Sequence, residues 1–256
     1  MEQYAPYRRV VEEAENAVVM IHGIVGTPMH FEFLLPVIPE DWSVYSLLLP
    51  GHGSSVRDFS RSCMDAWKRH VHDTLGEVLR THKKVVLVAH SMGTLFAIRE
   101  AIERKEVSAL FLLAVPLCPH LPVSTALSSL KAALGFAKPG TVADEMLCDS
   151  GVRLSRNLFA YLGWIPRYLE LFREVSHTKK LLPRLQTPAW VYQSRKDELV
   201  AFRAVNYLEH HPAIRLKILE NSGHFAYRKD DPEFLRREFA QLLHMEGGNT
   251  DTTIFN

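Results

Sequence analysis

The chain lacks an excess of charge of either sign. Its 30 Lys and Arg stand against 29 Asp and Glu, a formal net charge of +1. Without a broad electrostatic field, nucleic acid is a poor partner for it. It is also short of cysteine. Cys63, Cys118 and Cys148 form no CxxC pair, and they lie too far apart for a metal knuckle or a disulfide framework, so free thiols are expected. Long apolar runs are missing as well. The longest, from Ala109 to Leu117, is half of the roughly 20 residues that cross a bilayer, so no transmembrane segment is expected. The first residues, MEQYAPYRRVVEEAENA, carry four Glu where a secretory leader would be apolar, and a reduced, cytoplasmic location is the expectation.

The composition of these 256 residues is that of a globular protein: 47% hydrophobic, 23% charged and 10% aromatic. There is no internal repeat or low-complexity tract. Short β-branched runs alternate with longer amphipathic stretches, which is the pattern of an α/β fold with a parallel sheet. Strands are expected at Ala17 to Ile21, Ser43 to Leu49, Val85 to Ala89, Ser108 to Ala114, Ala189 to Gln193 and Ile214 to Leu219. Helices are expected at Met29 to Val37, Ser62 to Arg80, Gly93 to Ile102, Val200 to Glu209 and Pro232 to His244. The rhythm stops for about seventy residues after Ala114. The domain reading is therefore a core of residues 1–114 and 188–245, a helical cap inserted at 115–187, and a frayed tail at 246–256. Within the cap, the run Ile165, Tyr168, Leu169, Phe172 and Val175 has helical period.

Ala89-His90-Ser91-Met92-Gly93 fits the small-x-Ser-x-Gly nucleophile elbow, in which a serine sits on a strained strand-to-helix turn. Background frequencies would place roughly 0.2 such matches in a chain of this length, so context decides. The match lies between the strongest strand signal and a helix, as the motif requires. A nucleophilic serine needs a base, and the base is usually a histidine oriented by a carboxylate. In this fold the acid and then the histidine follow the serine in chain order. That order leaves His210, His211, His224 and His244, of which only His224 lies in a loop at the C-terminal end of a strand. Asp197 follows the Ala189 to Gln193 strand and is the candidate acid, with Glu198 its rival one residue on. After the first strand, His22-Gly23-Ile24-Val25-Gly26 matches an HGxxG loop that donates a backbone N–H to an oxyanion hole. Ile24 and Met92 are then the two donors. His22, Gly23, His90 and Trp164 are the candidate substrate contacts.

With Leu49-Pro50-Gly51-His52-Gly53-Ser54, Asp197-Glu198-Leu199-Val200 and Gly223-His224 added to the elbow and the HGxxG loop, the chain resembles serine hydrolases of the α/β-hydrolase fold. Within them it is similar to small bacterial carboxylesterases and monoacylglycerol-lipase-like enzymes. The resemblance implies a mostly parallel sheet of six or seven strands, since fewer than twenty residues precede the first strong strand. It also implies Ser91 as nucleophile, His224 as general base and acid, and Asp197 as its orienting partner. The implied partner is a small ester with an apolar acyl group, and no cofactor or metal is called for. Other scissile bonds (thioester, amide or C–C), acyl transfer, and a non-catalytic binder remain alternatives on the same fold. There is no HExxH, and His70 and His72, two apart on a helix, point in different directions. Nine apolar residues between Leu154 and Phe172, Trp164 among them, are expected mostly to pack on the core, with a subset lining an acyl pocket.

Overall fold

Successive residues of a strand face opposite sides of a sheet, so a strand buried on both faces needs two apolar layers. On β2 (Asn16–Ile21), Ala17, Val19 and Ile21 face one core, and Val18 and Met20 face the other. On β4 (Lys84–His90), Val85, Leu87 and Ala89 divide from Val86 and Val88 in the same way. A computed structural model describes residues 4–120, 131 and 134–248 of the chain. It arranges β1 (Tyr7–Arg9), β2, β3 (Ser43–Ser46), β4, β5 (Val107–Leu113), β6 (Ala189–Ser194) and β7 (Ile214–Leu219) in one sheet, in the order β1-β3-β2-β4-β5-β6-β7. Every pairing is parallel except that of the three-residue β1 with β3. This is the six- or seven-stranded, helix-flanked sheet expected, with its opening strand cut short.

The helices Met64–Val78, Met92–Glu103 and Ile165–Leu181 cover one face, bringing Trp67, Leu95 and Val175 into one core. Turns over Pro28–Val37 and the helix Asp231–Gly247 cover the other face, where Phe31 and Phe239 are fully buried. Phe111 of β5 lies at the centre of this second layer, with its ring 4.8 Å from that of Tyr192 and 4.9 Å from that of Phe239.

Several elements differ from expectation for local reasons. Pro28–Val37 forms 3₁₀ turns rather than an α-helix, because Pro36 inside it has no N–H to give. β3 ends at Ser46, and the Leu49 N–H goes to the His22 ring instead of a neighbouring strand. Only a 3₁₀ segment, Phe202–Tyr207, forms where a helix from Val200 to Glu209 is expected. The last helix runs three residues past His244 and ends where Gly248 adopts φ +74°, a left-handed helix stop. Of the expected tail, 249–256 lie outside the described residues.

Within 115–187, the residues 121–130, 132 and 133 are likewise outside the description. The helix Ile165–Leu181 buries Leu171, Glu174, Val175 and Thr178, so that of the expected stripe Val175 is buried while Ile165, Tyr168, Leu169 and Phe172 are exposed. Polar tethers set this rotation. Glu174 bonds Lys68 at 3.2 Å, and Glu170 accepts the Met64 N–H at 2.9 Å. Seven of the nine apolar residues expected to pack inward, Phe159 and Leu162 among them, are exposed. Trp164 does pack, against Phe59 at 4.8 Å.

Replacing Phe111 with Ala removes the ring that joins Tyr192 to Phe239. Urea unfolding should show a loss of about 3–5 kcal/mol. Phe111→Leu should lose much less.

Candidate active site

The loops that follow β2, β4, β6 and β7 all leave the sheet at the C-terminal ends of parallel strands, where open α/β sheets gather their ligand sites. Between β4 and the helix Met92–Glu103, Ser91 takes φ +50° and ψ −124°, outside the regions that L-residues favour. Its backbone is held by its own N–H on the Leu113 carbonyl at 2.9 Å and by the Thr94 hydroxyl on its carbonyl at 2.6 Å. Gly93 passes so close under β2 that a Cβ would collide with the carbonyl oxygens of Ile21 and His22. A Cβ on Gly23 would stand 3.0 Å from that of Ser91. The HGxxG loop therefore rests on the serine, with Ile24 next in line and Met92 opening the helix.

Asp197 turns the chain after β6 by accepting the N–H groups of Leu199 (2.8 Å) and Val200 (2.7 Å). Its carboxylate also faces His224 Nδ1, at 2.9 and 3.0 Å, with both side chains almost wholly buried. Glu198, the rival acid, accepts the backbone N–H of His224 at 2.6 Å and lies beneath Gly223. The two acids thus divide the work, one on the imidazole and one on its backbone. Because Nδ1–H points at Asp197, Nε2 is the basic nitrogen. The His224 loop meets the elbow through His90, whose ring is 4.8 Å from that of His224 and whose Nε2–H donates to the His224 carbonyl at 3.1 Å.

Burial opposes charge on His224, but the Asp197 carboxylate outweighs it, through charge and hydrogen bond together, and the pKa is raised above 6.5. Burial wins elsewhere, with neighbouring imidazoles adding to it. It lowers His22 to about 4 and takes His52 and His90 well below 6.5, so all three are neutral. His22 is fully buried and spends both ring nitrogens on backbone, Nδ1 donating to the Gly23 carbonyl and Nε2 accepting the Leu49 N–H. It has no atom left for a substrate, which corrects its place among the substrate contacts. His90 is 3% exposed, with Nε2 committed to the His224 carbonyl, and Trp164 donates to the Val56 carbonyl at 3.3 Å.

The structure adds residues that no motif marked. His30 stacks on His90 at 3.7 Å, bonds Asp149 through Nδ1 at 3.0 Å, and meets the Tyr227 hydroxyl through Nε2 at 3.1 Å. Asp149 and His30 are 119 positions apart, and nothing local in the sequence pairs them. Among the described residues, His72, Glu100 and Glu103 could surround a cation. Arg104 supplies one itself, with Nε on Glu100 at 2.9 Å and Nη2 on the His72 ring. No helix among the described residues is long and apolar enough to cross a membrane.

A model of the alpha/beta hydrolase family matches residues 18–238. The chain is 24% identical over 197 residues to a thermostable monoacylglycerol lipase of Bacillus sp. (strain H-257), covering 73% of this chain and 74% of that one. A solved structure described with LipS and LipT, two metagenome-derived lipolytic enzymes, superposes with a TM-score of 0.72 at 20% identity, over 95% of this chain and 98% of that one. The monoacylglycerol lipase of Paleococcus ferrophilus gives 0.65 at 18% identity, over 95% and 98%.

The electrostatics of the site can be read by NMR titration of the imidazoles. His224 should hold its proton to a pH above its ordinary 6.5, while His22 should stay neutral on acidification to about pH 4. In Asp197→Asn the main influence raising His224 is gone, so its midpoint should move down.

Proposed function

The chain belongs to the alpha/beta hydrolase family, and from that premise we propose that it is a serine carboxylic-ester hydrolase acting on short- to medium-chain acyl esters or monoacylglycerols. The observation that carries this is the buried Asp197–His224 pair, whose histidine loop meets the strained elbow at His90. In this reading Ser91 Oγ attacks the ester carbonyl carbon as His224 Nε2 takes its proton. The oxygen turns anionic against the N–H groups of Ile24 and Met92. His224 then gives the proton to the departing alkoxide, leaving an acyl group on Ser91. A water molecule, deprotonated by His224, attacks that acyl group, and the acid leaves as Ser91 recovers its proton.

Asp197 holds the tautomer and stabilises the imidazolium without accepting the proton. No step calls for a metal or cofactor. Residues 115–187 are proposed as the cap that shapes the acyl side, supported by the exposed apolar side chains Leu158, Phe159, Leu162, Leu169 and Phe172. A reducing, cytoplasmic setting belongs to the same reading and is supported by the free state of Cys63, Cys118 and Cys148.

Hydrolysis of p-nitrophenyl esters of increasing acyl length by wild type and folded Ser91→Ala tests the proposal. The wild type should turn over with an optimum at short to medium chains, and the variant should lose about 10³-fold or more in kcat. Equal rates in both proteins, or inertness of both, would sink the ester reading and turn attention to thioester, amide and C–C bonds or to a binding role.

A further inference from the structure

The HGxxG loop is a turn closed by the Gly26 N–H on the Gly23 carbonyl at 3.1 Å, with Ile24 and Val25 at its centre. Val25 has φ +60°. Glycine or asparagine fills that conformation easily, whereas a β-branched residue adopts it only when its surroundings impose it. Two groups from elsewhere do so. His52, on the loop after β3, accepts the Val25 N–H on Nε2 at 3.1 Å while its Nδ1–H donates to the Leu49 carbonyl at 3.2 Å. Gly151, in the segment 115–187, donates its N–H to the Val25 carbonyl at 2.5 Å and accepts the Gly53 N–H at 2.6 Å.

Both partners are tightly fitted. A Cβ on Gly151 would overlap the Gly26 carbonyl, so only glycine lets this strand of chain lie against the turn. His52 is 5% exposed, wedged against the rings of His22, Phe59 and Trp67. The neighbouring bonds extend the same seam: Asp149 on His30, and the Arg153 N–H on the Ser54 carbonyl at 2.8 Å.

We propose that His52 and Gly151 are positioning residues for the oxyanion hole, gripping Val25 on both sides so that the preceding Ile24 N–H is held beside Ser91. The inference rests on the hydrolase reading above, because it assigns the Ile24 amide to the developing oxyanion. If the grip is released, Val25 relaxes to negative φ, the Ile24–Val25 peptide rotates, and the adjoining Ile24 amide leaves its aim. The segment 149–153 then belongs to the catalytic geometry as well as to the cover of the site, and the hole is complete only while that segment is seated.

The test compares His52→Phe, which fills the space without an acceptor, with His52→Gln, which returns an acceptor near Nε2, and with Gly151→Ala. Each is measured as full-length protein with a melting curve, ester kinetics, and inhibition by an alkyl boronic acid that forms a tetrahedral adduct on the serine. His52→Phe and Gly151→Ala should lose about 10²-fold in kcat with KM nearly unchanged, since the interaction is made in the transition state. Boronate affinity should fall by the same factor, and His52→Gln should recover most of both losses. If Gly151→Ala does not fold, the His52 pair decides alone. Folded His52→Phe with kcat within about twofold of wild type, a loss confined to KM, or equal defects in Phe and Gln would overturn the proposal. Those outcomes with Ser91→Ala inactive overturn only the positioning roles, whereas an active Ser91→Ala overturns the hydrolase reading and these roles with it.

Discussion

Everything in the site hangs on the close crossing of β2 and the helix that starts at Met92. The first turn of that helix passes under the carbonyl oxygens of Ile21 and His22, and only the absence of a side chain at Gly93 permits it. That approach forces the sharp exit from β4 and puts Ser91 at φ +50°. Backbone of this kind costs of order 1–3 kcal/mol per residue and persists only where its surroundings over-determine it. Here the surroundings are the two central strands, whose side chains are buried on both faces from Ala17 to Ile21 and from Val85 to His90. A rigid sheet holds the strain and fixes Ser91 on the turn between β4 and the helix.

Histidine is used in two opposite ways around that turn. His22, His52 and His90 are buried without a carboxylate against the ring and stay neutral, serving as small rigid connectors between backbone groups. His224 is equally buried but faces Asp197, and its affinity for a proton goes up instead of down. Solvent exclusion is common to all four, and the Asp197 carboxylate is what reverses its effect at His224. The connectors carry a consequence for stability. His22 binds a proton at 6.5 when unfolded and only at about 4 when folded, so its contribution is full above pH 6.5 and falls away as pH drops toward 4. Acid thus loosens the bonds that brace the HGxxG loop while it also protonates His224.

The sequence showed the parts of this arrangement that are local and hid those that are not. Strand β4, the Ser91 turn and the Gly23 loop were legible because glycine spacing and β-branched runs report backbone shape directly. His224 and Asp197 could be chosen because each follows a strand, although their meeting across 27 positions was a matter of chain order rather than contact. His52 stood in the Pro50-Gly51-His52-Gly53 motif, but nothing in four residues says that its ring accepts from Val25. The orientation of Ile165–Leu181 misled for a different reason. Its apolar stripe is genuine, yet Glu170 and Glu174 have partners on the Met64–Val78 helix, and beside them only Val175 of the stripe is buried. Periodicity finds a helix; it does not say which polar tether will rotate it.

A division of labour between the sheet and the segment that holds Gly151 follows. The elbow, the acid and the base are held by elements of the sheet, whose shape is shared with structures only 18 to 20% identical to this chain. The Val25 turn is different, because one of its two holds comes from Gly151, between β5 and β6, through backbone atoms alone. Backbone contacts place few demands on neighbouring side chains. The apolar side chains of 158–172 can therefore change without disturbing the hold of Gly151 on Val25. A single seam of N–H and C=O groups thus ties residues 149–153 to the Val25 turn through backbone alone.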